Sequence, residues 1–281
     1  HNGAGKTTTM NMMTGMLDVT DGDCDIYGNS VRHELMKVRR DISLCPQHNI
    51  LWPELSCREH LHFYAALKAV SSEHRAKQVD EMLHDVDLFD KRDQPAGSLS
   101  GGQKRKLSVA IAFIGNSKLV FLDEPTAGMD VAARRHTWDV IKQMTPGRTI
   151  LLTTHFMDEA DLLGHTISIM SKGKLKCSGS PMFLKSRLGV GYSITLAVDP
   201  QKEGSTEPAR NLITSYIPDA VPMSTGAAEV AYRLPMESSA QFPDLLGKLE
   251  VEGESLGVTG FGITVTTLEE VFLKIADDEH A

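Results

Sequence analysis

Four consecutive apolar residues, Leu119, Val120, Phe121 and Leu122, stop at two carboxylates, Asp123 and Glu124. A short unbroken apolar run bounded by polar residues suits a strand covered on both faces, the situation of a strand inside a parallel sheet flanked by helices. Ligands of such sheets bind beyond the carboxyl ends of the strands. The run therefore predicts an α/β core with Asp123 and Glu124 at its ligand-binding edge. Two other apolar stretches end in the same way: Ile42, Ser43 and Leu44 ahead of Gln47, and Ile150, Leu151 and Leu152 ahead of His155. Three strands, each followed by a polar residue, point to one edge carrying Gln47, Asp123 and His155.

The chain opens HNGAGKTT. Gly5, Lys6 and Thr7 fill the last three positions of the phosphate-loop pattern G-x-x-x-x-G-K-[ST], which places its first glycine one residue before His1. The sequence is thus expected to be a fragment lacking the strand that feeds this loop, and to hold a nucleotide weakly in isolation. Gly3, Ala4 and Gly5 leave the backbone N–H groups free to curl around phosphate oxygens, and the following helix aims its positive end at them. Lys6 adds a point charge between the outer phosphates and Thr7 offers a hydroxyl to Mg²⁺. Asp123 suits the same ion, mostly through its water shell, and Glu124 is placed to polarise an attacking water. Gln47 can serve either Mg²⁺ or that water, and His155 suits a hydrogen bond to a γ-phosphate.

A second cradle lies in LSGGQKRKLSVAIA. Ser100 and Gln103 form a capping-box pair, and Leu107, Ala110, Ile111 and Ile114 recur as the stripe of an amphipathic helix. Ser100, Gly101 and Gly102 therefore stand at a helix start with bare backbone. Two helix starts in one chain do not readily serve one nucleotide, so a head-to-tail pair is expected, in which the SGG of one copy closes over the triphosphate of the other. Between these sites run helical patterns, with Leu61, Tyr64 and Ala65, then Val79, Met82, Leu83 and Val86, ending in the turn-rich RDQPAGSL.

Composition narrows the partners. Asp plus Glu number 37 against 29 Lys plus Arg, a formal net charge of −8, which argues against broad attraction to nucleic acid. Four cysteines without a CxxC pair suit reduced thiols rather than a disulfide framework or a zinc site. His60 and His62, two apart on a helical pattern, face different ways and make poor metal ligands. No apolar run approaches the ~18 residues of a membrane span.

After Leu188 the pattern changes. Tyr192, Ile194, Leu196 and Val198 alternate as a strand does, a polar stretch DPQKEGSTEPAR follows, and Val230, Tyr232 and Leu234 alternate again. Phe242, Leu245, Leu246 and Leu249 form a helical stripe, GVTGFGITVT reads as a strand, and Thr266 with Glu269 forms a capping box ahead of Leu268, Val271, Phe272 and Ile275. The order suggests a small α+β domain of the split β-α-β kind. GVGY and GFG read as turn glycines.

Taken in order, the phosphate loop, CPQHN, LSGGQ, LDEPTAGMD and LLTTH resemble the nucleotide-binding domain of ATP-binding cassette transporters. CPQHNILWPELSCREHLHFYAALK, KRKLSVAIAFIGNSKLVFLDEPTAGMD, GSPMFLK and TTLEEVFLKIA resemble its subfamily A, whose members move lipids and sterols. The resemblance implies a P-loop NTPase core, a mostly parallel sheet with flanking helices, over residues 1–189. It implies an inserted helical subdomain at about 50–115 and a small α+β regulatory-type domain over 190–281. It assigns ATP and Mg²⁺ as cofactors. Asn2, Gly3, Ala4, Gly5, Lys6, Thr7 and Thr8 are assigned to the phosphates, with Thr7, Gln47 and Asp123 on the metal, and Glu124, His155 and Gln47 as catalytic residues. Ser100, Gly101, Gly102, Gln103 and Asp130 are assigned to the partner copy's ATP. Met is frequent in subfamily A at the place of Gln103, and the aromatic residue that stacks on adenine falls upstream of His1. The implied activity is ATP hydrolysis powering a lipid or sterol transporter, with a second cassette and transmembrane domains as partners and the chain on the cytoplasmic side of a membrane. The alternatives are a soluble cassette ATPase acting on DNA or the translation machinery, and a non-hydrolysing regulatory cassette.

Overall fold

The computed structural model describes residues 3–188, 191–199, 206–225, 228–265 and 267–277. Helix α1 (Lys6–Met13) starts directly after the glycine loop, and the short strands β1 (Asp25–Ile26) and β2 (Asn29–Ser30) pair antiparallel. Helix α2 (Leu35–Asp41) runs into β3 (Ile42–Cys45). Helices α3 (Cys57–Leu67), α4 (Ser72–Asp85) and α5 (Gly101–Phe113) follow, then β4 (Leu119–Asp123), α6 (Val131–Met144), β5 (Thr149–Thr153) and α7 (Met157–Leu163). Strands β3, β4 and β5 form a parallel sheet with β4 in the middle, Phe121 lying between Leu44 and Leu151.

Every residue of β4 is buried, and alternation explains how. Val120 and Leu122 enter a core shared with Leu61 of α3, Leu83 of α4 and Leu107 of α5. Leu119 and Phe121 point the other way, into a core with Met10 of α1 and Val38 of α2. Successive side chains of a strand leave on opposite faces, so a run apolar at every position is what helices on both sides require. The α/β reading of the 119–122 run is correct on this point.

Helix α5 departs from expectation. Its residues from Leu107 to Phe113 are all buried, so the stripe read from Leu107, Ala110, Ile111 and Ile114 belongs to a helix whose second half is enclosed on every side, and Ile114 is its C-cap. The cause is its position against β3, β4, α3 and α6. Lys68 closes its far end: Nζ donates to the carbonyls of Ile111, Ala112 and Ile114 and to Ser43 Oγ, filling acceptors that a helix C-terminus leaves open. Helix α3 begins with a capping box between Ser56 and Glu59.

Two compact units divide the chain, one of His1–Leu163 with Met170–Lys174, the other of Gly164–Ile169 with Leu175–Ala281. Strands β6 (Ile167–Ser171) and β7 (Lys174–Gly179) pair with each other where the chain passes from one to the other. The second unit continues with α8 (Pro181–Leu188), β8 (Tyr192–Val198), α9 (Thr206–Tyr216), β9 (Val221–Thr225), β10 (Glu229–Leu234), α10 (Phe242–Glu252), β11 (Val258–Val265) and α11 (Leu268–Asp277). From β8 to β11 this is β-α-β-β-α-β, an antiparallel sheet in the order β11-β8-β10-β9, the split β-α-β arrangement. Ile194, Leu196 and Val198 meet Ile213, Tyr232, Leu245 and Leu249 in its core.

Three local readings change. The polar stretch before Val230 contains the start of α9, and β9 follows it. Gly260 and Gly262 of GFG lie inside β11, paired with Ala197 and Thr195, rather than in a turn. Thr266 lies outside the described residues; Thr267 and Glu270, one residue further on, exchange the capping-box hydrogen bonds at the start of α11. Among the described residues no helix is long and apolar enough to cross a membrane.

Candidate nucleotide site

The loop before α1 bends through left-handed backbone at Gly3 (φ 77°) and Gly5 (φ 99°), conformations that glycine adopts without strain. A Cβ on Gly5 would also stand 3.2 Å from Gly173 Cα, and Gly173 N–H donates to the Ala4 carbonyl at 3.0 Å. Gly5 is the N-cap of α1, so Lys6, Thr7 and Thr8 occupy its first turn, where the backbone N–H groups have no helical acceptor. Asn2 lies outside the described residues.

Thr7 Oγ1 donates to Asp123 Oδ1 at 3.2 Å, joining the loop to the end of β4. Thr153 Oγ1, at the end of the neighbouring β5, donates to the same oxygen. Glu124 follows, with φ 50°, a conformation that is uncommon outside glycine and costs roughly 1–3 kcal/mol. Its N–H is held by the Thr153 carbonyl at 3.0 Å. Its side chain is nearly buried; Oε2 accepts from Gln47 Nε2 at 3.5 Å and lies 3.3 Å from His155 Nδ1. Gln47 and His155, each two residues past a parallel strand, thus meet at Glu124 just beyond the end of β4, while Thr7 and Thr153 meet at Asp123.

The second helix start is built as its sequence indicates. Ser100 Oγ accepts from Gln103 N–H at 3.3 Å and Gln103 Oε1 accepts from Ser100 N–H at 2.9 Å, closing the capping box. Around Gly101 and Gly102 a Cβ would meet nothing within 4 Å, so this backbone is open to an incoming group. Asp130 caps α6, its side chain accepting from Ala133 N–H at 2.8 Å. Ser100, Gly101, Gly102 and Gln103 thus stand at the start of α5 and Asp130 at the start of α6, while Thr7 meets Asp123, and Gln47 and His155 meet Glu124.

Two residues escaped the sequence reading. Thr153 precedes His155 by two positions, and a hydroxyl at a strand end was its only signal. Arg105, one turn into α5, is 2% exposed and sets its guanidinium against backbone carbonyls of both strand-end loops. Cys45, buried beside this cluster, has its thiol pushed up to about 11 by desolvation, which keeps it protonated and inert as a nucleophile. His60 is buried and structural, its Nε2 accepting from Trp52 N–H at 3.0 Å. Among the described residues no group of three His, Cys, Asp or Glu side chains forms a metal cluster; beside the glycine loop the Thr7 hydroxyl meets the Asp123 carboxylate, and the Gln47 amide stands at Glu124.

Residues 1–127 match the family described as ABC transporter, and residues 192–268 match the ACT-like domain. The chain is 47% identical over 275 residues to the phospholipid-transporting ATPase ABCA3 of Rattus norvegicus, a match covering 98% of this chain and 16% of that protein. It is 45% identical over 303 residues to ATP-binding cassette sub-family A member 2 of Homo sapiens, covering 100% of this chain and 12% of the relative. The chain therefore spans less than a fifth of these relatives. Among solved structures, the ATP-binding subunit of an ABC transporter superposes with a TM-score of 0.62 at 26% identity, covering 67% of this chain and 79% of that one. A dimeric ATP-binding cassette in a post-hydrolysis state bound to ADP and Pi gives 0.59 at 26% identity, covering 64% and 82%. Glycine loop, carboxylate edge, capped SGG helix and relatives agree: residues 1–127 of the chain form an ATP-binding cassette domain of the ABC transporter family, and the sub-family A relatives named above resemble the chain over nearly its whole length.

Proposed function

We propose that this chain binds and hydrolyses ATP as one member of a cassette pair, and that the pair powers a membrane transporter that moves lipids or sterols. The observation that carries the reading is the meeting of Gln47 and His155 on one oxygen of Glu124, beside the Thr7–Asp123 hydrogen bond. A nearly buried carboxylate between a donor amide and an imidazole, next to a phosphate-type glycine loop, is suited to take a proton from a water attacking a phosphate.

In this reading Asn2, Gly3, Ala4, Gly5, Lys6, Thr7 and Thr8 hold the phosphates, the backbone by its N–H groups and Lys6 by its charge. Thr7, Asp123 and Gln47 hold Mg²⁺, whose preference for hard oxygen ligands matches a hydroxyl, a carboxylate and an amide oxygen. The bound ion supplies neutralisation of charge on the phosphate oxygens. Glu124 orients the water and accepts its proton, Gln47 steadies that carboxylate, and His155 hydrogen-bonds the terminal phosphate. Ser100, Gly101, Gly102, Gln103 and Asp130 of one copy act on the ATP held by the other, which explains an SGG helix start left open.

Coupling to transmembrane domains, and a position on the cytoplasmic side of a membrane, follow from the family. The lipid substrate rests on relatives named as phospholipid-transporting ATPases. Replacing Glu124 by Gln in the full-length protein tests the reading. Hydrolysis should fall by about 10²- to 10⁴-fold, the range of a positioned general base, while a nucleotide-trapped cassette pair persists. Undiminished hydrolysis would reject the assignment.

A further inference from the structure

Arg105 is a cation enclosed in protein, and among the described residues no carboxylate lies within ion-pair distance of it. Burying a charge without a counter-charge is unfavourable unless every donor is used. Here the fork is filled. Nε donates to the Pro125 carbonyl at 3.0 Å, Nη1 to the carbonyls of Pro46 at 2.6 Å and Gln47 at 3.1 Å and to Asn49 Oδ1 at 3.3 Å, and Nη2 to the carbonyls of Asp123 at 2.5 Å and Glu124 at 2.9 Å. Five of these six acceptors are backbone atoms, and they belong to two loops only, the one carrying Gln47 and the one carrying Glu124. Ser108, on the next turn of α5, donates to the same Asn49 oxygen at 3.1 Å.

The placement matters for the carboxylate. Glu124 is held in left-handed backbone, and such a conformation persists only where its surroundings over-determine it. Its N–H is fixed by Thr153 and its C=O by Arg105, so the peptide groups on both sides are pinned. The same guanidinium fixes the Gln47 carbonyl, and with it the separation between the Gln47 amide and the carboxylate it approaches. Arg105 also stands five residues, about 7.5 Å of helix rise, from Ser100. Ser100 is the N-cap of the same helix, α5, that carries Arg105, so the SGG start and the guanidinium sit on one continuous element.

We propose that Arg105, assisted by Asn49, is a positioning residue that locks Glu124 and Gln47 in register with the Ser100–Gly102 helix start, so that contact of that start with the nucleotide of the partner copy is transmitted to the catalytic carboxylate of its own copy. The inference rests on the reading of Glu124 as the general base and adds the route by which two nucleotide sites sense each other. A lysine at this position keeps the charge but presents a single point, and so holds one loop and releases the other.

The test uses the full-length transporter in membranes, comparing Arg105→Lys, Asn49→Ala and Glu124→Gln with the parent for steady-state hydrolysis against ATP concentration. For Arg105→Lys, kcat should fall by about 10- to 100-fold, the scale of an ångström-level misplacement of a catalytic group. KM for ATP and retention of a non-hydrolysable ATP analogue should stay within about threefold of the parent, because the phosphate loop is untouched, and the Hill coefficient should drop toward one. Asn49→Ala, at an exposed position that tolerates truncation, should give a smaller loss of the same kind, about threefold or more in kcat at unchanged KM, and it decides the question if Arg105→Lys fails to fold. Parent-like kcat and cooperativity in Asn49→Ala together with Arg105→Lys, or in Asn49→Ala alone if the lysine variant is not obtained, would overturn the proposal. A merely structural role would lower the yield of folded protein while leaving kcat per bound nucleotide and the Hill coefficient unchanged, which also overturns it. If Glu124→Gln retains hydrolysis, the reading of Glu124 fails instead, and the two failures are distinguished within one experiment.

Discussion

Glu159 offers a stability prediction that can be worked from its contacts. It lies in α7, four residues after His155, with 0% exposure. One carboxylate oxygen accepts both Thr126 Oγ1–H and Trp138 Nε1–H at 2.8 Å, tying the segment after Glu124 and helix α6 to α7. The other oxygen has no hydrogen-bond partner among the described residues. Glu159→Ala leaves two buried donors unpaired, each costing about 1–3 kcal/mol. Against this, the mutation removes a buried carboxylate with one unsatisfied oxygen, which returns part of the loss. The net expected destabilisation is about 2–4 kcal/mol. Glu159→Gln keeps an oxygen for both donors and should cost less than about 1.5 kcal/mol. The chain has two tryptophans, Trp52 and Trp138, both in the first unit, so urea unfolding followed by fluorescence reports on that unit directly. With an m-value of roughly 2 kcal/mol per molar urea, the Ala midpoint should drop by about 1–2 M at unchanged m. A shift below about 0.25 M for Ala would refute the reasoning, since it would mean that neither donor depends on Glu159.

Two further outcomes follow from α3. Burial pushes the Lys68 ammonium down to about 7, so the unfolded chain binds one more proton than the folded one between pH 7 and the ordinary lysine value of 10.5; stability should therefore rise with pH across that window, by at most about 1.4 kcal/mol per pH unit, and Lys68→Met should flatten the rise in pH-dependent urea titrations. Ala69, exposed just after the helix, holds φ 58°, a strain of roughly 1–2 kcal/mol that glycine avoids at the expense of a more flexible unfolded chain, so Ala69→Gly should raise the urea-derived stability by about 0.5 kcal/mol or leave it level, never lower it by as much as 1.

What the amino-acid pattern made legible was set by range. The capping pair Ser100 and Gln103 is three residues apart, and the hydrogen bonds follow the sequence directly. The 119–122 run announced a strand with two covered faces, and each of its apolar side chains has a core to enter. Gln47, Asp123 and His155 were readable because each ends a strand, and parallel strands bring their ends to one edge. Arg105 was not, because its partners lie 18 to 59 residues away and all but the Asn49 amide are backbone atoms, which carry no residue identity. Helix α9 was hidden for the opposite reason: its start, Thr206, Glu207 and Pro208, reads locally as a loop, and its helical state is secured by Ala209 and Ile213 entering the core of the second unit.

Glu124 shows where local rules and chemistry part. Backbone preference at φ 50° asks for glycine or asparagine, and a glutamate there is strained. A glycine would relax the turn and remove the carboxylate on which Gln47 and His155 converge. The strain is retained because Thr153 holds the peptide on one side and Arg105 on the other, so the groups that make the conformation tolerable are the same groups that aim the side chain. Loosening either support should therefore turn the Glu124 carboxylate away from Gln47 and His155, because both supports hold the peptide groups that set its direction.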